Sequence, residues 1–95
     1  MSRYRSGYRL ECRVRDLLRR KGYIVVRSAG SRGPVDLLAA KDGQILAIQV
    51  RKSGRLTPDE KAVLFKVAEH FRAVPLVATV REGRIVFEGV TPGCR

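Results

Sequence analysis

Acidic residues are scarce in this sequence. Only 9 Asp and Glu stand against 20 Lys and Arg, so the formal net charge is +11 and the sequence pI is about 10.9. Such an excess favours a polyanionic partner, because each phosphate contact releases condensed counterions. Nucleic acid is the first candidate. An anionic membrane surface is the weaker one, since neither predicted helix sets a wholly basic face against an aromatic one.

Long hydrophobic runs and cysteines are also lacking. No apolar stretch approaches the roughly 20 residues that a membrane span needs. Residues 1–7 lack the apolar segment of a secretory signal, so we expect a cytoplasmic protein. The two cysteines, Cys12 and Cys94, have no metal or redox spacing and are expected to be free thiols. A disulfide between them is expected only if the source is a hyperthermophile.

The length and the hydrophobic periodicity predict one domain at residues 1–90 and a flexible tail at residues 91–95. Helices are predicted at residues 7–21 and 58–72, and strands at residues 23–27, 34–40, 44–51, 74–80 and 84–88. Asp42-Gly43 predicts a hairpin turn. Thr57, Pro58 and Glu60 predict an N-cap and capping box. The order αβββαββ, with a crossover helix before an apolar strand, predicts an α/β fold with a five-stranded mixed sheet and flanking helices.

Four polar side chains stand where apolar ones are expected. Glu11 shares the inward side of the first helix, and Asp36 lies in the second strand. Gln49 and Arg51 share one face of the third strand, because side chains two residues apart point the same way. Two carboxylates and an amide oxygen make a hard oxygen site for Mg²⁺, and a neighbouring basic group can stabilise a phosphorane-like transition state. This pattern indicates a metal-dependent phosphodiesterase.

Purely structural explanations stay open for these residues. Glu11 could be a solvated helix residue paired with Arg15. Asp36 could cap a nearby loop with its carboxylate, and Gln49 and Arg51 could belong to a solvated sheet face.

Four segments carry a resemblance to a known family. They are Tyr4-Arg5-x-Gly7 leading to Glu11, Val25-Val26-Arg27-Ser28-Ala29-Gly30-Ser31, Val35-Asp36-Leu37-Leu38-Ala39, and Ile48-Gln49-Val50-Arg51. Together they resemble the archaeal Holliday junction resolvases of the PD-(D/E)XK nuclease superfamily. The resemblance implies a restriction-endonuclease-like fold and a homodimeric, Mg²⁺-dependent endonuclease that nicks four-way DNA junctions in recombination and repair.

The resemblance also implies roles for single residues. Glu11 and Asp36 would be metal ligands, and Arg27 and Ser31 would act on the phosphate backbone. The family's Glu-x-Lys is replaced by Gln49-x-Arg51. Gln49 can still coordinate Mg²⁺ but removes one negative charge, so we expect weak or absent metal binding. Arg51 keeps its positive charge but cannot act as a base.

The predicted site therefore has three groups of residues. The catalytic candidates are Glu11, Asp36, Gln49 and Arg51, of which the first three are the candidate metal ligands. The DNA-binding candidates are Arg3, Arg5, Arg27, Ser28, Ser31, Arg32, Lys52 and Arg55. Lys52 could replace the family's lysine only if a bulge turned it to the face of Arg51.

The replacements at Gln49 and Arg51 favour a catalytically degenerate relative that binds branched DNA as a homodimer. An active junction-cutting endonuclease is the first alternative. A basic module that binds RNA or another nuclease subunit is the second, preferred if single-stranded RNA binds as well as branched DNA.

Overall fold

A five-stranded mixed sheet between two helices forms the centre of the structure. The computed structural model describes residues 3–27 and 35–90, with the backbone alone for residues 3–8. Its elements are α1 (Arg3–Arg20), β1 (Ile24–Arg27), β2 (Leu37–Lys41), β3 (Gln44–Val50), α2 (Pro58–Phe71), β4 (Val74–Arg81) and β5 (Arg84–Gly89). The strands lie in the order β1-β2-β3-β4-β5. Only β3 and β4 pair in parallel, across α2, so the predicted mixed α/β sheet is confirmed.

Strand alternation gives the sheet two apolar faces, and each face buries one helix. The α1 side is formed by the buried residues Leu10, Val14, Leu18, Val25, Leu37, Ala39, Leu46, Ile48 and Ala78. The α2 side is formed by Ala47, Leu56, Leu64, Ala68, Val77 and Val90. Burial of these two sets fixes the hairpin of β2 and β3 between the helices.

Local turn and cap chemistry forms as the sequence predicts. Asp42 and Gly43 both have positive φ, 51° and 81°, as a two-residue hairpin turn requires. At α2, the Thr57 side chain accepts the Glu60 N–H, and the Glu60 carboxylate accepts the Thr57 N–H. This capping box starts α2 beside the end of β3.

Two predicted boundaries differ from the structure by more than one residue. α1 begins at Arg3 rather than at residue 7. The polar residues before the first apolar stripe show no hydrophobic periodicity, so the pattern does not predict a helix there. They contain no helix breaker stronger than Gly7, so the helix can extend through them. β2 begins at Leu37 rather than at residue 34. The backbone at Arg3 and Arg5, two of the predicted DNA-binding residues, is helical. The loop at residues 28–34 and the tail at residues 91–95 lie outside the described residues.

Two further observations concern cysteine and membranes. Cys12 is half-buried and carries a free thiol, whereas Cys94 is not among the described residues. In the described part of the chain, neither helix is both long enough and apolar enough to cross a membrane.

Candidate functional site

Glu11 is a buried acid on the inward side of α1. It is 7% exposed, and its Oε1 accepts a hydrogen bond from Arg27 Nε at 3.1 Å. The alternative partner Arg15 instead pairs with Asp16 at 3.0 Å. Glu11 is therefore not a solvated helix residue, and its ion pair links α1 to the end of β1.

Asp36 lies just before β2 and is held by two backbone groups of β3. Its N–H donates to the Ile48 carbonyl at 2.8 Å, and its Oδ2 accepts the Val50 N–H at 2.8 Å. Because Ile48 is paired with Leu37, Asp36 is offset by one residue from the hairpin register. Such an offset resembles that of a β-bulge, a feature that re-aims a side chain next to many active sites.

The Asp36 carboxylate does accept a backbone hydrogen bond, but the donor is Val50 in β3 and not a residue of a loop, as the capping explanation expected. Neighbouring charged groups also act on the Asp36 carboxylate. Burial raises the pKa of Asp36 against the opposing hydrogen bond from Val50, and the Glu11 charge raises this pKa further. The charges of Arg51 and Arg27 lower it. Residues from α1, β1, β2 and the end of β3 therefore act on one another electrostatically at this point.

Gln49 is the residue between the two that bind Asp36, because Ile48 and Val50 flank it on β3. It is half-buried. Strand alternation places it on the same side of the sheet as Ala47, which packs on the α2 side. Gln49 thus lies near the carboxyl end of the central strand β3, between the two residues that anchor Asp36, whereas Glu11 comes from the α1 side.

Arg51 directly follows β3 and is turned toward the start of α2. Its N–H donates to the Ala78 carbonyl at 2.9 Å, which continues the parallel ladder. Its guanidinium donates to Glu60 Oε2 at 2.8 Å. Arg51 therefore does not belong to a merely solvated sheet face.

Sequence reasoning assigned Glu60 to the capping box and missed this ion pair. The spacing offers one clue, because only residues 52–56 separate Arg51 from the N-cap Thr57. A short connection brings the first turn of α2 close to the end of β3. The side-chain pairing itself has no signature in local periodicity.

The turn after Arg51 is fixed by a buried threonine that the sequence did not single out. Thr79 is 1% exposed, and its hydroxyl donates to the Lys52 carbonyl at 2.9 Å. Gly54 has φ +76°, and a Cβ there would lie 3.3 Å from Thr79 Cγ2. Both the positive φ and this close approach favour glycine. The turn holds the exposed side chains of Lys52 and Arg55 beside the site.

The bulge that would turn Lys52 to the face of Arg51 is not seen in the paired residues of β3. The paired residues of β3 keep one register against β4 through Val50, and Lys52 lies in the turn beyond. A role for Lys52 in place of the family's lysine stays a prediction. Of the other DNA-binding candidates, Arg27 is described as the partner of Glu11, whereas the side chains of Arg3 and Arg5 and the loop residues Ser28, Ser31 and Arg32 lie outside the described residues.

The donor atoms of the predicted ligands Glu11, Asp36 and Gln49 are of the chemical type that a hard divalent cation accepts. Carboxylate and amide oxygens are the ligands that Mg²⁺ accepts. Burial raises the pKa of Asp36 most, and the Glu11 charge raises this pKa further, so a nearby positive charge would favour the ionised carboxylate. Arg27 and Arg51 already supply part of that positive charge. Among the described residues, no group of three or more His, Cys, Asp and Glu side chains is placed to hold a metal.

Asp36→Asn should stabilise the fold at neutral pH. Because the folded-state pKa of Asp36 is raised, the folded chain binds this proton more tightly than the unfolded chain, and stability falls as pH rises from about 4 through the raised pKa. Asparagine stays neutral and can still accept the Val50 N–H. We expect a gain of about 0.5–2 kcal/mol in urea unfolding at pH 7.

The same gain should shrink toward pH 3, where Asp36 is protonated in both states. A loss of stability at pH 7, or an equal gain at both pH values, would contradict the account of a carboxylate that is costly to ionise.

The fold and these side chains together define the class of the protein. A five-stranded mixed sheet with flanking helices, an acid on α1, an acid before β2 and a polar pair at the end of β3 are the parts of a restriction-endonuclease-like nuclease fold. The sequence profile described as archaeal Holliday junction resolvase (Hjc) matches residues 2–89. The chain belongs to that family, as its motifs predict.

Two relatives agree with this assignment. The chain is 32% identical over 89 residues to a protein of Methanocaldococcus jannaschii named crossover junction endodeoxyribonuclease Hjc, and the match covers 90% of this chain. It spans 66% of that relative, just under two thirds of its length. The solved structure of Archaeoglobus fulgidus Hjc, a Holliday junction resolvase from an archaeal hyperthermophile, matches with a TM-score of 0.76 and 28% identity, over 88% of this chain and 72% of that one.

Proposed function

We propose that this chain is a cytoplasmic protein that binds branched DNA as a homodimer and cuts it weakly or not at all. The observation that supports this most is that the site keeps two of the family's polar residues and replaces the other two. Glu11 and Asp36 are buried and electrostatically coupled, whereas Gln49 and Arg51 stand where the family pattern has Glu and Lys. Loss of one preorganised charged group costs about 10² to 10³ in rate, and two are altered here.

Glu11, Asp36 and Gln49 are the residues that would hold Mg²⁺. When bound, the ion would polarise the phosphate and lower the pKa of a water. The chain's own residues then determine how much phosphodiester cleavage the site supports. The Arg51 guanidinium would supply positive charge to a phosphate oxygen, but an arginine does not act as a base that takes a proton from water. Gln49 leaves the site one negative charge short, so the ion would be weakly held.

The DNA-binding surface would combine Arg27, Lys52 and Arg55 with the predicted Arg3, Arg5, Ser28, Ser31 and Arg32. Lys52 and Arg55 are exposed in a turn that Thr79 fixes. Fixed basic groups position a phosphate backbone at lower entropic cost than mobile ones. The net charge of +11 supports a surface of this kind.

A homodimer is supported by apolar side chains on the α2 side of the sheet. Ile24 and Val26 on the edge strand β1 are 74% and 59% exposed. Their neighbour Val25 packs on the α1 side, so alternation turns both toward the α2 side. On α2 itself, Val63 and Phe71 are 48% and 49% exposed. An edge strand and a helix with exposed apolar groups are surfaces that proteins cover, here by a second copy of this chain.

Equilibrium binding tests the proposed function. Labelled four-way junction, duplex, single-stranded DNA and single-stranded RNA should be titrated with the protein, with Mg²⁺ and with EDTA. We expect the junction to bind at least about tenfold more tightly than the duplex, a difference of 1.4 kcal/mol. This preference should persist in EDTA, because the basic side chains carry it. Equal affinity for RNA would support the RNA-binding alternative instead, and equal affinity for all four ligands would refute branched-DNA recognition.

An active endonuclease remains the second candidate, favoured by one observation. Asp36 is kept buried with a raised pKa beside Glu11, which is costly for the fold and is typical of catalytic sites. Junction cleavage in Mg²⁺ or Mn²⁺ that Asp36→Ala abolishes would support this candidate.

A further inference from the structure

Glu60 performs two tasks with its two carboxylate oxygens. Oε1 accepts the Thr57 N–H at 2.9 Å, which completes the capping box of α2. Oε2 accepts the Arg51 guanidinium at 2.8 Å. The capping box needs only the first contact. The second contact therefore concerns Arg51, which the proposed function places next to the DNA phosphate.

The Arg51–Glu60 pair is accessible to a competing anion. The Arg51 and Glu60 side chains are 34% and 41% exposed. Ion pairs with this exposure are weak, because water and salt screen them. A phosphate presents the same kind of oxygen acceptor to the guanidinium as a carboxylate does. The backbone of Arg51 is fixed by the Ala78 carbonyl, so only its side chain has to turn.

We propose that Glu60 is a positioning residue that competes with the DNA phosphate for Arg51. In the free protein, Glu60 neutralises Arg51 and holds it against the first turn of α2. A DNA phosphate contacts Arg51 only after it displaces Glu60. A phosphate that does not reach the site therefore gains no affinity from Arg51. This inference rests on the proposed DNA-binding function and adds to it a residue that tunes affinity.

The test compares Glu60→Gln with Asp59→Asn. Both variants remove one negative charge from the first turn of α2, but no hydrogen bond or ion pair joins Asp59 to Arg51 among the described contacts. Glutamine keeps the capping box, so α2 should form in both variants. Affinity for the four-way junction should be measured over a salt series, and folding should be checked by circular dichroism.

We expect Glu60→Gln to bind the junction about threefold to tenfold more tightly than Asp59→Asn, with a salt slope steeper by about 0.9, the value for one further phosphate contact. Arg51→Gln in the Glu60→Gln background should remove both gains. Equal affinities for the two variants, or a gain that survives Arg51→Gln, would overturn the role of Glu60. If the parent protein shows no preference for the junction over duplex, the proposed function itself fails, which is a separate outcome.

Discussion

Gln49→Glu combined with Arg51→Lys should convert this protein into a junction-cutting nuclease, with a cleavage rate at least about 10² to 10³ above that of the parent. Glutamate restores the missing negative charge beside Asp36, so Mg²⁺ should bind more tightly. Lysine replaces the planar guanidinium by a compact ammonium, which can approach an oxygen from more directions than the arginine fork. Products should be measured on denaturing gels with labelled four-way junctions in Mg²⁺ and in Mn²⁺.

Two controls make this result specific. Asp36→Ala added to the double variant should remove the new activity, because Asp36 is the acid that the β3 backbone holds in place. Isothermal titration with Mn²⁺ should report the restored metal site independently of cleavage. A double variant that binds metal and junction but cuts nothing would refute the explanation that Gln49 and Arg51 alone disable the site.

Ile24→Gln combined with Phe71→Gln should dissociate the proposed homodimer and weaken junction binding by about 10² to 10⁴, the range in which linked binding sites exceed single ones. Ile24 is 74% exposed and Phe71 is 49% exposed, so their replacement should leave the fold of each chain intact. The variant keeps the net charge, so a loss of affinity cannot come from electrostatics. Light scattering should show a change from twice 10.6 kDa to 10.6 kDa.

Val74→Gln is the matched control. Val74 is also an exposed apolar residue, at 39%, but it pairs with Leu46, whose side chain packs on the α1 side. This variant should stay dimeric with parental affinity. A parent protein that is monomeric at micromolar concentration, or a double variant that stays dimeric, would contradict the assignment of this surface.

The parts of the fold that could be predicted from sequence are those that depend on residues close together in the chain. The Asp42-Gly43 turn and the Thr57 capping box each depend on a few neighbouring residues, and both form as predicted. The inward side of Glu11 followed from helical periodicity. Its partner did not, because Arg27 is distant in the chain and only the packing of α1 on the sheet brings it within 3.1 Å.

The contacts that decide what the site can do join side chains to groups of other elements, and hydrophobic periodicity does not predict such contacts. Thr79 reads as one more β-branched residue in an apolar strand, yet its hydroxyl holds the Lys52 carbonyl. Glu60 reads as a cap, yet its second oxygen binds Arg51. The family pattern identified the candidate positions Glu11, Asp36, Gln49 and Arg51, and their catalytic roles remain predictions until activity is measured.

Cleavage of a labelled four-way junction by the parent protein and by Asp36→Ala, side by side at saturating protein in Mn²⁺, tests the central claim most directly. If the site binds DNA with its chemistry disabled, both proteins should retain the junction on native gels and leave it uncut on denaturing gels. Paired nicks made by the parent and lost in Asp36→Ala would show instead that Gln49 and Arg51 still support catalysis.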